Sequence, residues 1–378
     1  MIAAVMLLVA RGFVPTAIAD TPSLLRAEPV SADAARHEVA SGLRWYAAQQ
    51  IGVEGKGYRD TAADFARLPA RAETLVRPPV WSLAQHSAGL CVRFTTDSST
   101  VRANWTLTSA SLAMPHMAAT GVSGLDLYVQ TTSGWRWLGS GRPEQQQNSA
   151  VLVEGLAREP RDYLLYLPLY NGVQTLEIGV DAEATVHRQT WQGARARPIV
   201  FWGTSITQGG CASRTGMAHP AIVGRRLHRP VVNLGFSGNG KLEPELARLI
   251  GELDACVFVL DCLPNLQAAE VRERTRPAVE ILRAAHANTP ILLVEDRTYS
   301  DAFLKEALAE RNRASRQALR ESFEQMQRDG IPDLHYLPGD RLLGTDGEDT
   351  VDGSHPTDLG FQRQAAAFEA ALRPLLEP

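Results

Sequence analysis

The sequence predicts an α/β protein in two parts: an antiparallel, jelly-roll-like β-sandwich, then a doubly wound domain built on a parallel sheet. Three observations carry this. The chain has 378 residues, more than one ordinary core supports, so two domains are expected. From about residue 40 to 195 the text is strand-like, without long helical periodicity. After Pro198 the pattern changes to continuous apolar runs that alternate with amphipathic segments.

The first half supplies LCVRFTTDS (90–98), TVRANWTLTS (100–109), LDLYVQTTSGWRWLGSG (125–141), RDYLLYLPLY (161–170) and VQTLEIGVDA (173–182). Short β-rich runs parted by Ser, Thr, Gly and Asn clusters indicate a sandwich. The second half supplies PIVFWGTS (198–205), PVVNLGFSG (230–238), DACVFVLDC (254–262), TPILLVEDR (289–297) and DLHYLPG (333–339). Unbroken apolar runs mean strands buried on both faces. Their alternation with helical segments such as 242–253 and 268–286 means a parallel sheet. The expected division is a leader over 1–22, a sandwich over 23–195 and an α/β domain over 196–378.

Hydrophobic residues make up 44% and charged residues 21% of the chain, the balance of a soluble globular protein. A net charge of −4 gives no reason to expect nucleic acid or an anionic membrane as partner. Four cysteines (Cys91, Cys211, Cys256 and Cys262) are too few and too irregular for a disulfide scaffold or a zinc site, and are expected as free thiols. The first residues, MIAAVMLLVARGFVPTAIAD, hold an apolar stretch and Ala17-Ile18-Ala19, which suit an export signal and its cleavage site. The expected location is therefore periplasmic or secreted. Arg11 within the run and the absence of a preceding positive charge leave a misplaced start or a short buried strand as the other reading. No later stretch reaches the roughly 18 apolar residues of a membrane span.

Chemistry in a doubly wound sheet belongs just beyond the carboxyl ends of its strands. Ser205 ends the first apolar run, Gly235-Phe236-Ser237-Gly238 the second and Asp261 to Asn265 the third. Asp352 and His355 lie in a loop before a long final helix. Alone, Ser205 reads as a helix cap, His355 as a loop histidine, and Asp352 or Asn265 as a turn former. Together at successive strand ends, the serine, histidine and aspartate form the set that acyl transfer needs: nucleophile, general base, and an acid that orients the base.

These blocks resemble the SGNH (GDSL-like) hydrolase superfamily in order and spacing. Gly203-Thr-Ser-Ile-Thr-Gln-Gly209 is similar to its first block, Asn233-Leu-Gly-Phe-Ser-Gly238 to its second, Asn265 to its third, and Asp352-Gly-Ser-His355 to its last. The resemblance implies a flavodoxin-like domain with Ser205 as nucleophile, His355 as base and Asp352 as its orienter. It also implies an oxyanion hole made by the backbone N–H of Ser205 and Gly238 and the side-chain amide of Asn265, with no metal or cofactor. Thr204 replaces the family's aspartate, and Leu263 stands where the third block commonly has glycine. In the first half, Gly124-Leu-Asp-Leu-Tyr128 resembles the GxDLY motif that precedes some bacterial SGNH esterases.

The rival readings are weaker. Gly235 to Lys241 has P-loop spacing, but Leu242 stands where a P-loop needs Ser or Thr for magnesium. No Gly-x-Ser-x-Gly occurs for a classical α/β-hydrolase, and no His-x-x-x-His or carboxylate cluster for a metal-dependent one. The resemblance, rather than any single residue, implies hydrolysis of short-chain, notably acetyl, esters on a carbohydrate or other small-molecule substrate. A lipid- or thioester-directed acylhydrolase would use the same triad, and an inactive carbohydrate-binding module is the reading from another class. The apolar loop Ala113 to Met117 carries His116, expected to shape the substrate pocket.

Overall fold

The computed structural model describes residues 24–376; the expected leader lies outside them. The first half folds as two antiparallel sheets. One runs in the order Leu25–Pro29, Val186–Trp191, Cys91–Thr96, Arg161–Tyr166, Leu125–Thr131 and Gly134–Gly141, with Val53–Glu54 also paired to Cys91–Thr96. The other runs Arg36–Glu38, Leu43–Ala47, Val173–Asp181, Val101–Leu107 and Gln147–Val153. Alternation along each strand sends Val92, Phe94, Trp105, Leu127, Leu165 and Ile178 into one buried layer between the sheets. The strands before residue 55, Gln147–Val153 and Val186–Trp191 went unread in the sequence because they are short or polar on the solvent side.

The second half is a five-stranded parallel sheet: β1 (Ile199–Gly203), β2 (Val231–Gly235), β3 (Val257–Asp261), β4 (Ile291–Val294) and β5 (Leu334–Leu337), in the order β2-β1-β3-β4-β5. This is the flavodoxin-like order, and its switch point lies between β1 and β3. The helices are α1 (Ser205–Gln208), α2 (His219–Leu227), α3 (Pro244–Ile250), α4 (Ala268–Ala285), α5 (Glu306–Arg328) and α6 (Asp358–Leu376). Val200, Trp202, Leu234 and Leu260 pack on one face with Leu246, Val279 and Leu319, whereas Ile199, Phe201 and Val259 pack on the other with Val223 and Phe361.

The two halves share these cores. Leu68, Ala72, Val80 and Ala84 of the first half join Trp202 and Leu234 on one face of the parallel sheet. Met117, Val122 and Leu169 join Phe201 and Ile206 on the other. Two polar clasps reinforce the seam. Arg67, only 2% exposed, donates to the carbonyls of Asn233 (3.1 Å) and Gly235 (2.7 Å) at the end of β2, and to those of Leu83 (2.6 Å) and His86 (2.9 Å) in its own half. Its guanidinium also lies over the Phe236 ring at 5.0 Å.

The second clasp gives the GxDLY residues their physical meaning. Buried Asp126 accepts from Arg214 Nη1 at 2.7 Å and from the Gly216 N–H at 2.9 Å, both in the loop that follows α1. The Tyr128 hydroxyl takes a further Arg214 bond at 2.6 Å, and its ring lies under Arg225 at 4.0 Å. Leu127 enters the sandwich core. At Gly124 a Cβ would lie 2.5 Å from the Thr120 carbonyl oxygen, so only glycine allows that approach.

Removing the Arg67 donors leaves buried carbonyls unpaired on both sides of the seam. Arg67→Met should lower the unfolding free energy of the full chain by about 3 kcal/mol, read as a drop in the urea midpoint. Arg67→Lys should recover only part, since one ammonium cannot span four carbonyls. A midpoint equal to wild type would show that the clasp is not stabilising.

Candidate active site

Strand β1 delivers its last residues to the switch point, and α1 begins at once. The capping role that a serine often fills here falls to Thr204, whose hydroxyl accepts from the Ile206 N–H at 3.3 Å. That frees the Ser205 hydroxyl. Gly209, at φ +113°, ends α1 after one turn in a left-handed conformation that other residues rarely adopt. Ser205 therefore sits at the tip of a tight strand-to-helix turn, 8% exposed.

Ser205 Oγ lies 2.8 Å from His355 Nε2, and His355 Nδ1 lies 2.7 Å from Asp352 Oδ2. The three sequence-predicted residues form one hydrogen-bonded chain across a separation of 150 positions. The other Asp352 oxygen accepts from the backbone N–H of His355 (2.8 Å) and Ser354 (3.1 Å), which fixes the carboxylate against its own loop. Burial would raise the Asp352 pKa, but these donors and the imidazole outweigh it and hold the carboxyl below its ordinary value.

The residues expected to supply the oxyanion donors lie in turns that follow β2 and β3, the strands on either side of β1. Gly238, at φ +67°, lies in the turn that follows β2. Asn265 ends a short turn after β3. With its amide oriented to satisfy its surroundings, Asn265 Oδ1 accepts from the N–H of Asn239 (3.1 Å) and Gly240 (3.2 Å), leaving its NH₂ as a donor. Leu263 in place of glycine is accommodated by burying its side chain in the core. His116 is exposed, and its ring centroid lies 6.0 Å from that of His355, so the loop of the first half does overhang this site.

Behind the site lies a network that sequence reasoning missed. Asp261 at the end of β3 is paired by both oxygens to Arg297, with Nη2 to Oδ2 at 2.9 Å, and both residues are buried. Asp261 Oδ2 also accepts from Thr207 Oγ1 at 2.7 Å, while Arg297 donates to Gln364 of α6 at 2.8 and 3.1 Å. On the other side, Gln208 accepts from the Ser237 N–H (3.0 Å) and donates to the Leu169 carbonyl (3.0 Å) and to His86 Nδ1 (3.1 Å). The Tyr170 hydroxyl donates to the Ser205 carbonyl at 3.1 Å. Gln208 lies within the quoted first block, so an amide facing into a buried turn was the one available signal.

Among the described residues no three His, Cys, Asp or Glu side chains group as a metal site, and no helix is long and apolar enough to cross a membrane. The four cysteines are free.

The GDSL-like lipase/acylhydrolase family matches residues 196–373, and the GxDLY family, described as the N-terminus of SGNH-hydrolase-type esterases, matches residues 43–186. A Bacteroides ovatus protein described as a GDSL-like lipase is 34% identical, with a TM-score of 0.83 over 88% of this chain and 98% of its own. The chain belongs to the GDSL-like lipase/acylhydrolase family. This SGNH esterase also shares its fold with more distant structures. A salicylyl-acyltransferase from a tetracycline biosynthetic pathway has a TM-score of 0.66 at 19% identity, over 94% of this chain and 96% of its own. A family two carbohydrate esterase from Cellvibrio japonicus has a TM-score of 0.57 at 13% identity, over 88% and 98%. No curated protein matches the sequence.

His86 sets an acid limit on the support of this esterase's site. Burial, with the Arg67 charge adding to it, pulls its pKa from 6.5 down to about 4. The folded state holds His86 neutral, whereas the unfolded chain takes up a proton below its ordinary value, so stability is present above about pH 6.5 and is lost as pH falls toward about 4. In His86→Gln, stability from urea midpoints should vary less with pH across that window than in wild type. Parallel curves for the two proteins would assign the acid loss to other groups.

Proposed function

We propose that this SGNH esterase removes short acyl groups, acetyl foremost, from carbohydrate by a Ser-His-Asp mechanism without metal or cofactor. The observation that carries the reading is the hydrogen-bonded chain from Ser205 through His355 to Asp352, at 2.8 and 2.7 Å. His355 Nε2 takes the Ser205 proton as Oγ attacks the ester carbonyl. The tetrahedral oxyanion meets the N–H of Ser205 and Gly238 and the Asn265 amide. Its collapse expels the alcohol, which leaves with the proton from His355, and the same base then activates water to release the acid. Asp352 holds the imidazole in the tautomer that keeps Nε2 open.

The carbohydrate part draws on the fold neighbours described as carbohydrate esterases, among them one from Clostridium thermocellum in complex with cellohexaose, with a TM-score of 0.52 and 15% identity. One observation favours a second reading, a lipid or other long-chain acyl donor. Phe303 and Leu304 are each 81% exposed, on a loop whose Ser300 N–H donates to the Gly353 carbonyl at 2.9 Å, beside Asp352. Acetylated oligosaccharides set against p-nitrophenyl esters of rising chain length decide between the two. Rates that climb with acyl length favour the lipid reading, and absence of turnover above the Ser205→Ala background would favour a binding module. Export from the cytoplasm would suit a polymeric substrate and belongs to the same proposal.

A fluorophosphonate should modify Ser205 alone, because labelling needs a base and an oxyanion hole around the hydroxyl. Peptide mapping that places the adduct on Ser237 or Ser354 would overturn the assignment.

The base and its orienter should separate by degree. His355→Ala should cost on the order of 10⁴-fold in kcat, and Asp352→Asn a smaller but large part, with folding kept. His116→Ala should act chiefly on KM or substrate preference. Full activity in Asp352→Asn would mean that another group orients His355, and a His116→Ala loss equal to that of His355→Ala would move His116 into the chemistry.

A further inference from the structure

At one side of the sandwich both sheets end, one with the strand Gly134–Gly141 and the other with Gln147–Val153. These edges and the loop between them form one wall of a cleft of about 800 Å³, and Thr120, Ser213 and Arg214 contribute to its lining. We propose that this cleft is a glycan subsite in which the Trp137 indole is the platform for a sugar ring of the chain that carries the ester. The inference rests on the carbohydrate-ester reading.

Trp137 is half exposed, at 50%, yet it is not free to move. Its Nε1 donates to Asp126 Oδ1 at 2.8 Å, and the Arg214 guanidinium lies over one face of the ring, 5.3 Å from its centroid, so a sugar would meet the opposite face. A fully buried carboxylate thus holds a solvent-facing indole in one orientation. Such a ring is a preorganised surface: the ordering cost of binding is already met when the ligand arrives. The electron-rich face of an indole attracts the weakly positive C–H groups of a pyranose.

The rest of the lining fits a hydroxyl-rich, uncharged ligand. The side chains of Arg142, Gln145 and Gln147 are exposed and supply donors and acceptors in several directions. Glu144 lines the same cleft, so its lining carries both signs of charge. The volume falls in the range of small-ligand clefts, about 300–1,000 Å³.

The side of the cleft formed by Thr120 and Ser213 leads back to the Ser205 turn. Ser213 is three residues from Gly210, a span of at most about 11 Å, and a Cβ on Gly210 would lie 3.3 Å from His355 Cδ2. Thr120 follows His116, whose ring lies 6.0 Å from that of His355. Thr120 Oγ1 donates to the Ser213 carbonyl at 2.5 Å, which ties these two segments together. On this proposal a short oligosaccharide runs from Trp137 along this side toward the nucleophile.

The test is deacetylation of acetylated xylo-oligosaccharides from mono- to tetrasaccharide by the full chain. Wild type should gain about tenfold in kcat/KM with length, mainly through KM, as one stacked ring and its hydrogen bonds come into play. Trp137→Ala should lose that gain with kcat retained, Trp137→Phe should keep part of it, and Gln147→Ala, at the surface and outside any core, should reduce it without threat to folding. A wild-type KM that ignores chain length, or a length dependence that survives in both Trp137→Ala and Gln147→Ala, overturns the subsite and leaves the carbohydrate reading standing. No turnover of any acetylated saccharide alongside good turnover of p-nitrophenyl esters removes the carbohydrate reading and the subsite with it.

Discussion

A buried ion pair ties the turn that carries Ser205 to the helix that follows His355. Asp261 and Arg297 lie at the ends of neighbouring strands, and each extends one further bond to an element that carries the site. Thr207, two residues after Ser205, bonds Asp261, and Gln364, one turn and more into α6, bonds Arg297. The segments that present the serine and the histidine are thereby both fixed to one charged pair, beyond the bond that Ser205 and His355 make with each other. A pair of this kind is costly to bury and adds little net stability over apolar packing. Its value lies in direction, since a bidentate fork admits one geometry, and a hydrogen-bond chain needs its members held to within a fraction of an ångström.

The first half supports the same site from the opposite side. Tyr170 holds the Ser205 carbonyl, His86 and the Leu169 carbonyl hold Gln208, and Gln208 in turn holds the Ser237 N–H next to Gly238. The turn that bears the serine and the turn that bears the proposed oxyanion donor are thus tied by one side-chain amide. That amide is steered in part by His86, 122 positions earlier.

What was legible in the sequence was whatever leaves a local signature. Five apolar runs marked the parallel strands because strands buried on both faces have no choice of residue type, and Ser205, Asn265, Asp352 and His355 stood out because they follow such runs. The structure brings Ser205, His355 and Asp352 within hydrogen-bonding distance. The supports were not legible. Arg67 sits in an unremarkable Ala-Arg-Leu stretch, and nothing near it says that its partners are carbonyls at the end of β2. Asp126 was quoted as part of a motif, but its partner Arg214 is 88 positions away. The segment around Leu68 and Val80 reads as part of the first half and packs on the parallel sheet, because a short helix with one apolar face carries no label for the surface it covers.

That last feature has a bearing on how such chains are inherited. The face of β1 and β2 bearing Trp202 and Leu234 is covered partly by residues from the first half, and the opposite face, at Phe201, meets Met117 and Leu169. A catalytic half recombined onto another partner would carry uncovered apolar surface and unpaired carbonyls at the end of β2. The shared seam therefore favours inheritance of the two halves as one unit, with substitutions along it expected to travel in compensating pairs.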